Sequence, residues 1–207
     1  MFIQIFVIIF PILAIVTGGY FYAKKFQPNM EVANTLNLNI FVPALLFSIF
    51  TSKDFNLLDY HSLAIGGCVV IIISGLLALI VSKVFGFNTK TFVPPAMFVN
   101  AGNMGLPLAL FAFGKAAIPA AVVLFFIENT LHFTLGIKII DRKSSIINVL
   151  RIPMVVASLV GVAISLVQYN MPELIITPIR MIGEIAIPLM LFSLGVRLID
   201  IDFNDWK

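Results

Sequence analysis

Polar residues interrupt the long apolar runs of this 207-residue sequence at two places. The first contains two asparagines, two glycines and a proline within eight residues: Asn100, Gly102, Asn103, Gly105 and Pro107. Glycine costs about 1 kcal/mol and proline about 3 kcal/mol in a helix interior, so this run predicts an interrupted helix. Its half-helix ends, together with the asparagine amides, could bind a small anion or cation. The alternative is a kink whose small residues let helices pack closely.

The second place combines Glu128, Asn129 and His132 within an apolar run. Glu128 and His132 are four residues apart and therefore share a helix face. One hypothesis is that these residues couple proton or ion movement to solute binding, because an ionisable group is costly in an apolar environment. The alternative is a structural hydrogen-bonded pair. Too few metal ligands lie nearby to predict a metal site, and the sequence has no recognisable catalytic motif. We therefore predict neither an enzyme nor a cofactor.

The composition indicates the environment of these residues. The chain is 60% hydrophobic and 11% charged, whereas soluble domains are roughly 45–50% apolar and about 25% charged. So few charges cannot cover a water-facing surface, which predicts an integral protein of a lipid bilayer. The thirteen lysines and arginines are scattered between apolar runs, which argues against nucleic acid as a partner.

Seven segments are long enough to cross a bilayer as helices, which takes about 20 apolar residues. No alternation typical of a β-barrel appears, so we predict an all-α membrane protein with the fourth helix broken. The predicted spans are Phe2–Ala23, Asn34–Ser52, Ser62–Ser82, Thr91–Phe113, Ala116–Ile137, Ile146–Val167 and Ile176–Leu198.

The loops between these spans differ in charge. Only Lys53, Lys115 and Arg180 fall on one side, whereas the remaining basic residues, including Arg142 and Lys207, fall on the other. Because cytoplasmic loops are enriched in lysine and arginine, we predict a plasma (inner) membrane protein with its amino terminus outside and its carboxyl terminus in the cytoplasm.

A weak internal repeat relates the second and seventh spans. Proline, phenylalanine and serine recur at an offset of 145 residues, as Pro43, Phe47 and Ser48 and again as Pro188, Phe192 and Ser193. This offset predicts a five-helix repeat over residues 1–140 and the first two helices of an inverted copy over 146–207. The alternative is two unrelated proline-containing helices.

Several motifs resemble those of the auxin efflux carrier family. The run Asn100-Ala-Gly-Asn-Met-Gly-Leu-Pro-Leu108 is similar to the broken fourth helix of that family. The segment Phe41-Val-Pro-Ala-Leu-Leu-Phe47 resembles its second helix, and Arg151-Ile-Pro153 with Gly183 to Gly195 resembles its sixth and seventh helices.

This resemblance implies a ten-helix secondary transporter, related to bile-acid sodium symporters, that carries small organic anions by alternating access. Helices one, two, six and seven would form a scaffold, and the other helices a moving transport domain. Asn100, Gly102, Asn103 and Pro107 would line the substrate site, with H⁺ or Na⁺ as coupling ion.

Helices eight to ten of that family have no counterpart in this sequence. We therefore expect a chain truncated after the seventh helix, and either a second copy or a complementing chain as partner. The alternative function is a non-transporting remnant or subunit.

Overall fold

The computed structural model describes residues 2–141, 143 and 146–201, and all the secondary structure in these ranges is helical. Its α-helices are α1 (Phe2–Phe26), α2 (Glu31–Leu36), α3 (Val42–Phe50), α4 (His61–Val84), α5 (Thr89–Met97), α6 (Leu106–Phe113), α7 (Ile118–Leu131), α8 (Ile137–Ile140), α9 (Pro153–Leu166), α10 (Glu173–Gly183) and α11 (Ala186–Arg197). Three π-helical segments join some of them: Asn37–Phe41, Ala101–Gly105 and His132–Gly136. Short 3₁₀ helices occupy Leu57–Tyr60, Lys115–Ala117, Ile146–Arg151 and Leu198–Asp200.

Six helical stretches of the described residues are long and apolar enough to cross a membrane. They are Ile5–Phe26, Glu31–Phe50, Leu57–Val84, Thr89–Phe113, Lys115–Ile140 and Glu173–Asp200. The prediction of an all-α membrane protein is thereby confirmed, and these stretches coincide with six of the seven predicted spans.

The remaining predicted span, Ile146–Val167, is shorter than expected. Its α-helix is the 14-residue α9, about 21 Å long at 1.5 Å per residue. The preceding Ile152 is extended, with φ −76° and ψ 120°, because the ring of Pro153 disfavours a helical conformation in the residue before it. Residues 146–151 therefore form a separate 3₁₀ helix rather than the first turns of a full span.

The outward faces of the helices are apolar. In α4 the buried residues form a single stripe spaced by three or four positions: Ile71, Gly75, Ala78 and Ser82. Large apolar side chains on its other faces, such as Val70 and Leu77, are exposed. A helix that buries one narrow stripe and exposes apolar side chains elsewhere suits a lipid environment, where those side chains meet acyl chains.

The strongest helix packing falls into three sets. Helix α1 packs against α11, α3 packs against α9 and α10, and α4 packs against α5 and α7. The main core lies where α3 meets the fourth and fifth spans, with Leu46 and Phe50 of α3, Leu106 of α6 and Val122 of α7 almost completely buried. The interrupted fourth span connects these sets, since its π-helical segment contacts both α7 and α11.

Two glycines bring α1 and α11 into backbone contact. A Cβ atom on Gly19 would overlap the backbone oxygen of Phe192, and one on Gly195 would overlap the backbone oxygen of Val16. Close helix approach through small residues is a common way to pack helices in membranes. The first and seventh predicted spans therefore form a tight pair on which the position of α11 depends.

Residues 202–207, the end of the predicted second repeat, lie outside the described residues, as does Arg142. They include Lys207, another basic residue on which the predicted orientation rests.

Candidate solute-binding site

The fourth span is interrupted in its middle. Helix α5 ends at Met97, after which Phe98 is extended with φ −108° and ψ 136°. Asn100 is also non-helical, with φ −81° and ψ 66°. Pro94 and Pro95 precede the interruption inside α5, where their missing N–H groups weaken the helical ladder. The prediction of a broken fourth helix is confirmed, with the non-helical backbone at residues 98–100.

Asn100 starts the second half of this span. Its side-chain Oδ1 accepts a hydrogen bond from the backbone N–H of Asn103 at 3.1 Å, which is the usual role of an asparagine at a helix N-cap. Its carbonyl oxygen accepts from the N–H groups of Met104 and Gly105 at 3.3 and 3.1 Å. Pro107 lies in the first turn of α6, directly after the π-helical segment, and its missing N–H leaves one bond out of the helical ladder there.

The two glycines of this segment have different surroundings. A Cβ atom on Gly102 would lie 2.8 Å from Cε2 of Phe125, whereas the nearest atom to a Cβ on Gly105 would be the Asn100 oxygen at 3.7 Å. Gly102 therefore lets the Phe125 ring pack directly against the π-helical segment, while the site of Gly105 has room for a methyl group.

A cavity of about 340 Å³ lies beside the interruption. Six of the eight residues that the sequence predicted for the site line it: Asn100, Gly102, Asn103, Glu128, Asn129 and His132. Gly105 and Pro107 do not line it, and Pro107 is fully buried. The structure thus brings the two polar clusters of the sequence together around one space.

Glu128 and His132 face this cavity from the fifth span. Glu128 is buried, and its Oε1 lies 3.8 Å from Nδ1 of the more exposed His132. The imidazole ring of His132 stacks on the ring of Phe98, with centroids 4.7 Å apart. The side-chain amide of Asn129 donates to the Phe125 carbonyl at 2.8 Å. A carboxyl and an imidazole in such proximity can bind and exchange a proton.

The polar lining of the cavity includes four residues that no sequence pattern had assigned to the site. They are Asn34, Asn37, Ser193 and Arg197. Oδ1 of Asn37 and Oγ of Ser193 are buried and have no hydrogen-bond partner among the described residues. A weak signal existed for both, since Asn37 belongs to an asparagine-rich stretch of the second span and Ser193 to the internal repeat.

All three π-helical segments of the described residues border the cavity. Asn37, Asn103 and His132 each come from one of them. Single π-helical turns are often found at functional sites. Their clustering supports the assignment of this cavity as the functional site.

The comparisons with known proteins agree with this description. Residues 141–204 match the family of membrane transport proteins. That segment includes the sixth and seventh predicted spans, and the match confirms the predicted resemblance.

A curated relative named "Putative malonate transporter", from Rhizobium meliloti (strain 1021), is 25% identical to the chain over 216 aligned residues. The alignment covers 92% of the chain and 66% of the relative, so the chain spans somewhat less than two thirds of that protein. No solved structure matches the chain. Both matches are to transport proteins rather than to enzymes.

Proposed function

We propose that the protein is a carrier that moves small organic anions across the membrane by alternating access around the interrupted fourth helix. The observation that carries this proposal is the polar cavity at the interruption, which combines asparagine amides with Arg197. Amides donate hydrogen bonds to carboxylate oxygens. The helical stretch that begins at Ala101 directs the positive end of its dipole toward the same space. The relative's name adds malonate as a solute to test.

A second cavity, of about 610 Å³, supports the inverted-repeat part of this proposal. Five residues of the second span line it: Leu45, Ser48, Ile49, Thr51 and Ser52. At the repeat offset of 145, the equivalents of all but Thr51 line the first cavity: Met190, Ser193, Leu194 and Arg197. Equivalent faces of the two spans therefore open into different cavities, as expected if each cavity is an access route from one side of the membrane.

The same offset underlies the proposed division of the chain. Residues 1–140 would form one repeat, and residues 146–207 the first two helices of its inverted copy. The tightly packed α1, α3, α9, α10 and α11 would be the scaffold, and the third to fifth spans the moving part. With the carboxyl terminus in the cytoplasm of a plasma (inner) membrane protein, Arg197 would lie near the cytoplasmic face.

Uptake by proteoliposomes tests the proposal. Liposomes containing the purified chain should accumulate radiolabelled malonate in a saturable way when a proton or sodium gradient is imposed, and unlabelled malonate outside should compete. Protein-free liposomes are the control. Failure to accumulate malonate or other small carboxylates under either gradient would contradict autonomous transport. Binding of malonate without uptake would favour the alternative, a subunit that needs a second copy or another chain.

Glu128→Gln tests the proposed coupling role of Glu128, Asn129 and His132. The glutamine keeps the shape of the side chain but cannot ionise, so uptake driven by a proton gradient should fall to background. Exchange of internal for external malonate, which needs no net proton movement, should continue.

Glu31→Gln is the matched control, because Glu31 is exposed at the start of α2 and lies outside the cavity. If Glu128→Gln took up malonate at the wild-type rate under a proton gradient, the coupling role would be contradicted and Glu128 would have only a structural role.

A further inference from the structure

The side of the cavity formed by the second and seventh spans contains polar groups that the protein itself leaves without partners. Asn37 and Ser193 are 6% and 5% exposed, respectively. Asn37 Oδ1 and Ser193 Oγ have no hydrogen-bond partner among the described residues. Buried polar atoms are nearly always hydrogen-bonded in folded proteins. The two atoms themselves are enclosed, but both residues line the cavity, so a turn of either side chain would bring its polar group to a molecule within the cavity.

Ser193 differs in this respect from other buried serines of the chain. Ser48 donates to the carbonyl of Leu45 at 2.9 Å, and Ser158 to the carbonyl of Met154 at 2.7 Å. Such bonds to the preceding turn are the ordinary way in which a helical serine satisfies its hydroxyl. Ser193, the repeat equivalent of Ser48, makes no such bond, so its hydroxyl has no partner among the described residues.

Arg197 lies one turn beyond Ser193 on α11, so the two side chains share a helix face. Its guanidinium group takes part in neither the Lys53–Glu173 nor the Glu128–His132 ion pair. A guanidinium binds a carboxylate through two parallel hydrogen bonds. Its repeat equivalent is the neutral Ser52, so the equivalent position on the second span carries no charge.

We propose that Arg197 and Ser193, together with Asn37, form a carboxylate subsite that makes the carrier selective for dicarboxylates. This inference rests on the proposed function. The first carboxylate of the solute contacts the interrupted segment at Asn100 and Asn103, and the second is bound by the guanidinium of Arg197 and the hydroxyl of Ser193. The unpartnered Oδ1 of Asn37 is an acceptor, so it accepts from a water that accompanies this carboxylate rather than from the carboxylate itself. The cavity volume, about 340 Å³, is at the small end for ligand sites.

Two ligands of nearly equal size test this subsite: malonate, and malonamate, in which a neutral amide replaces one carboxylate. Their affinities are measured by calorimetry on the purified full chain in nanodiscs. The wild-type protein should bind malonate about tenfold or more tightly than malonamate. Arg197→Gln should remove this preference by weakening malonate binding, with malonamate binding nearly unchanged. Ser193→Ala should reduce the preference by a smaller factor.

Arg151→Gln is the matched control. Arg151 is also exposed in the last turn of its helix, but it lines neither cavity, so this variant should keep the preference. If the wild-type protein bound the two ligands with equal affinity, the proposed subsite would be overturned. The proposal that the protein carries monocarboxylates would be unaffected. If Arg197→Gln weakened the binding of malonate and malonamate by the same factor, the proposed subsite would be overturned, because Arg197 would then have a structural role. If the wild-type chain bound neither ligand, the subsite would be overturned together with the proposal that malonate is carried.

Discussion

Replacing Asn103 with alanine should lower malonate uptake by roughly 10- to 100-fold, which corresponds to the loss of one hydrogen bond to a charged group, about 1.5–3 kcal/mol. Asn103 lines the cavity. The local backbone should survive the change, because the bond that caps this segment joins the Asn103 N–H to Oδ1 of Asn100 at 3.1 Å. Uptake is measured in proteoliposomes at equal protein content, and insertion is checked by size-exclusion chromatography.

Asn39→Ala is the control for this prediction. Asn39 also belongs to a π-helical segment, but it is exposed and lies outside the cavity. Its replacement should leave uptake near the wild-type rate. If Asn103→Ala transported malonate as well as Asn39→Ala, Asn103 would have no part in solute binding.

The second large effect concerns stability. Gly19→Ala should lower the thermal unfolding midpoint in detergent, because the new methyl group overlaps the backbone oxygen of Phe192 and must push α1 and α11 apart. Overpacking of this kind costs about 1–3 kcal/mol. Since Phe192 precedes Ser193, the shift should also disturb the cavity and reduce uptake.

The neighbouring Gly18 is a matched control in the same helix. A Cβ atom there meets nothing within 4 Å, and alanine has the higher helix propensity. Gly18→Ala should therefore have a midpoint equal to or slightly above that of the wild type. If Gly18→Ala and Gly19→Ala had equal unfolding midpoints, α1 and α11 could move apart at this contact without loss of stability, and the prediction would be wrong.

The interruption of the fourth span shows which features the local sequence can predict and which it cannot. Gly102, Gly105 and Pro107 predicted a break, and a break is present, but Gly105 and Pro107 lie in helical turns after it. The non-helical backbone lies earlier, at residues 98–100. Helix propensity indicates that a segment is weak. The residue at which the second half of the helix begins depends on which side chain caps its free N–H groups, and here that side chain is Asn100.

The sixth span shows a similar limit. The apolar run from Ile146 to Val167 is long enough to cross a bilayer, yet its α-helix begins only at Pro153. Hydropathy measures the composition of a segment, whereas the restriction that proline places on Ile152 acts on backbone geometry.

By itself, the sequence determined the features that depend on neighbouring residues. These are the apolar spans, the weak point in the fourth helix, and the shared helix face of Glu128 and His132. Only the tertiary structure decided that Asn37, Ser193 and Arg197 line the same cavity as Glu128 and His132. These residues come from helices far apart in the chain, and no local pattern determines which faces of distant helices meet. That depends on close packing, such as the approach of α1 to α11 at Gly19 and Gly195.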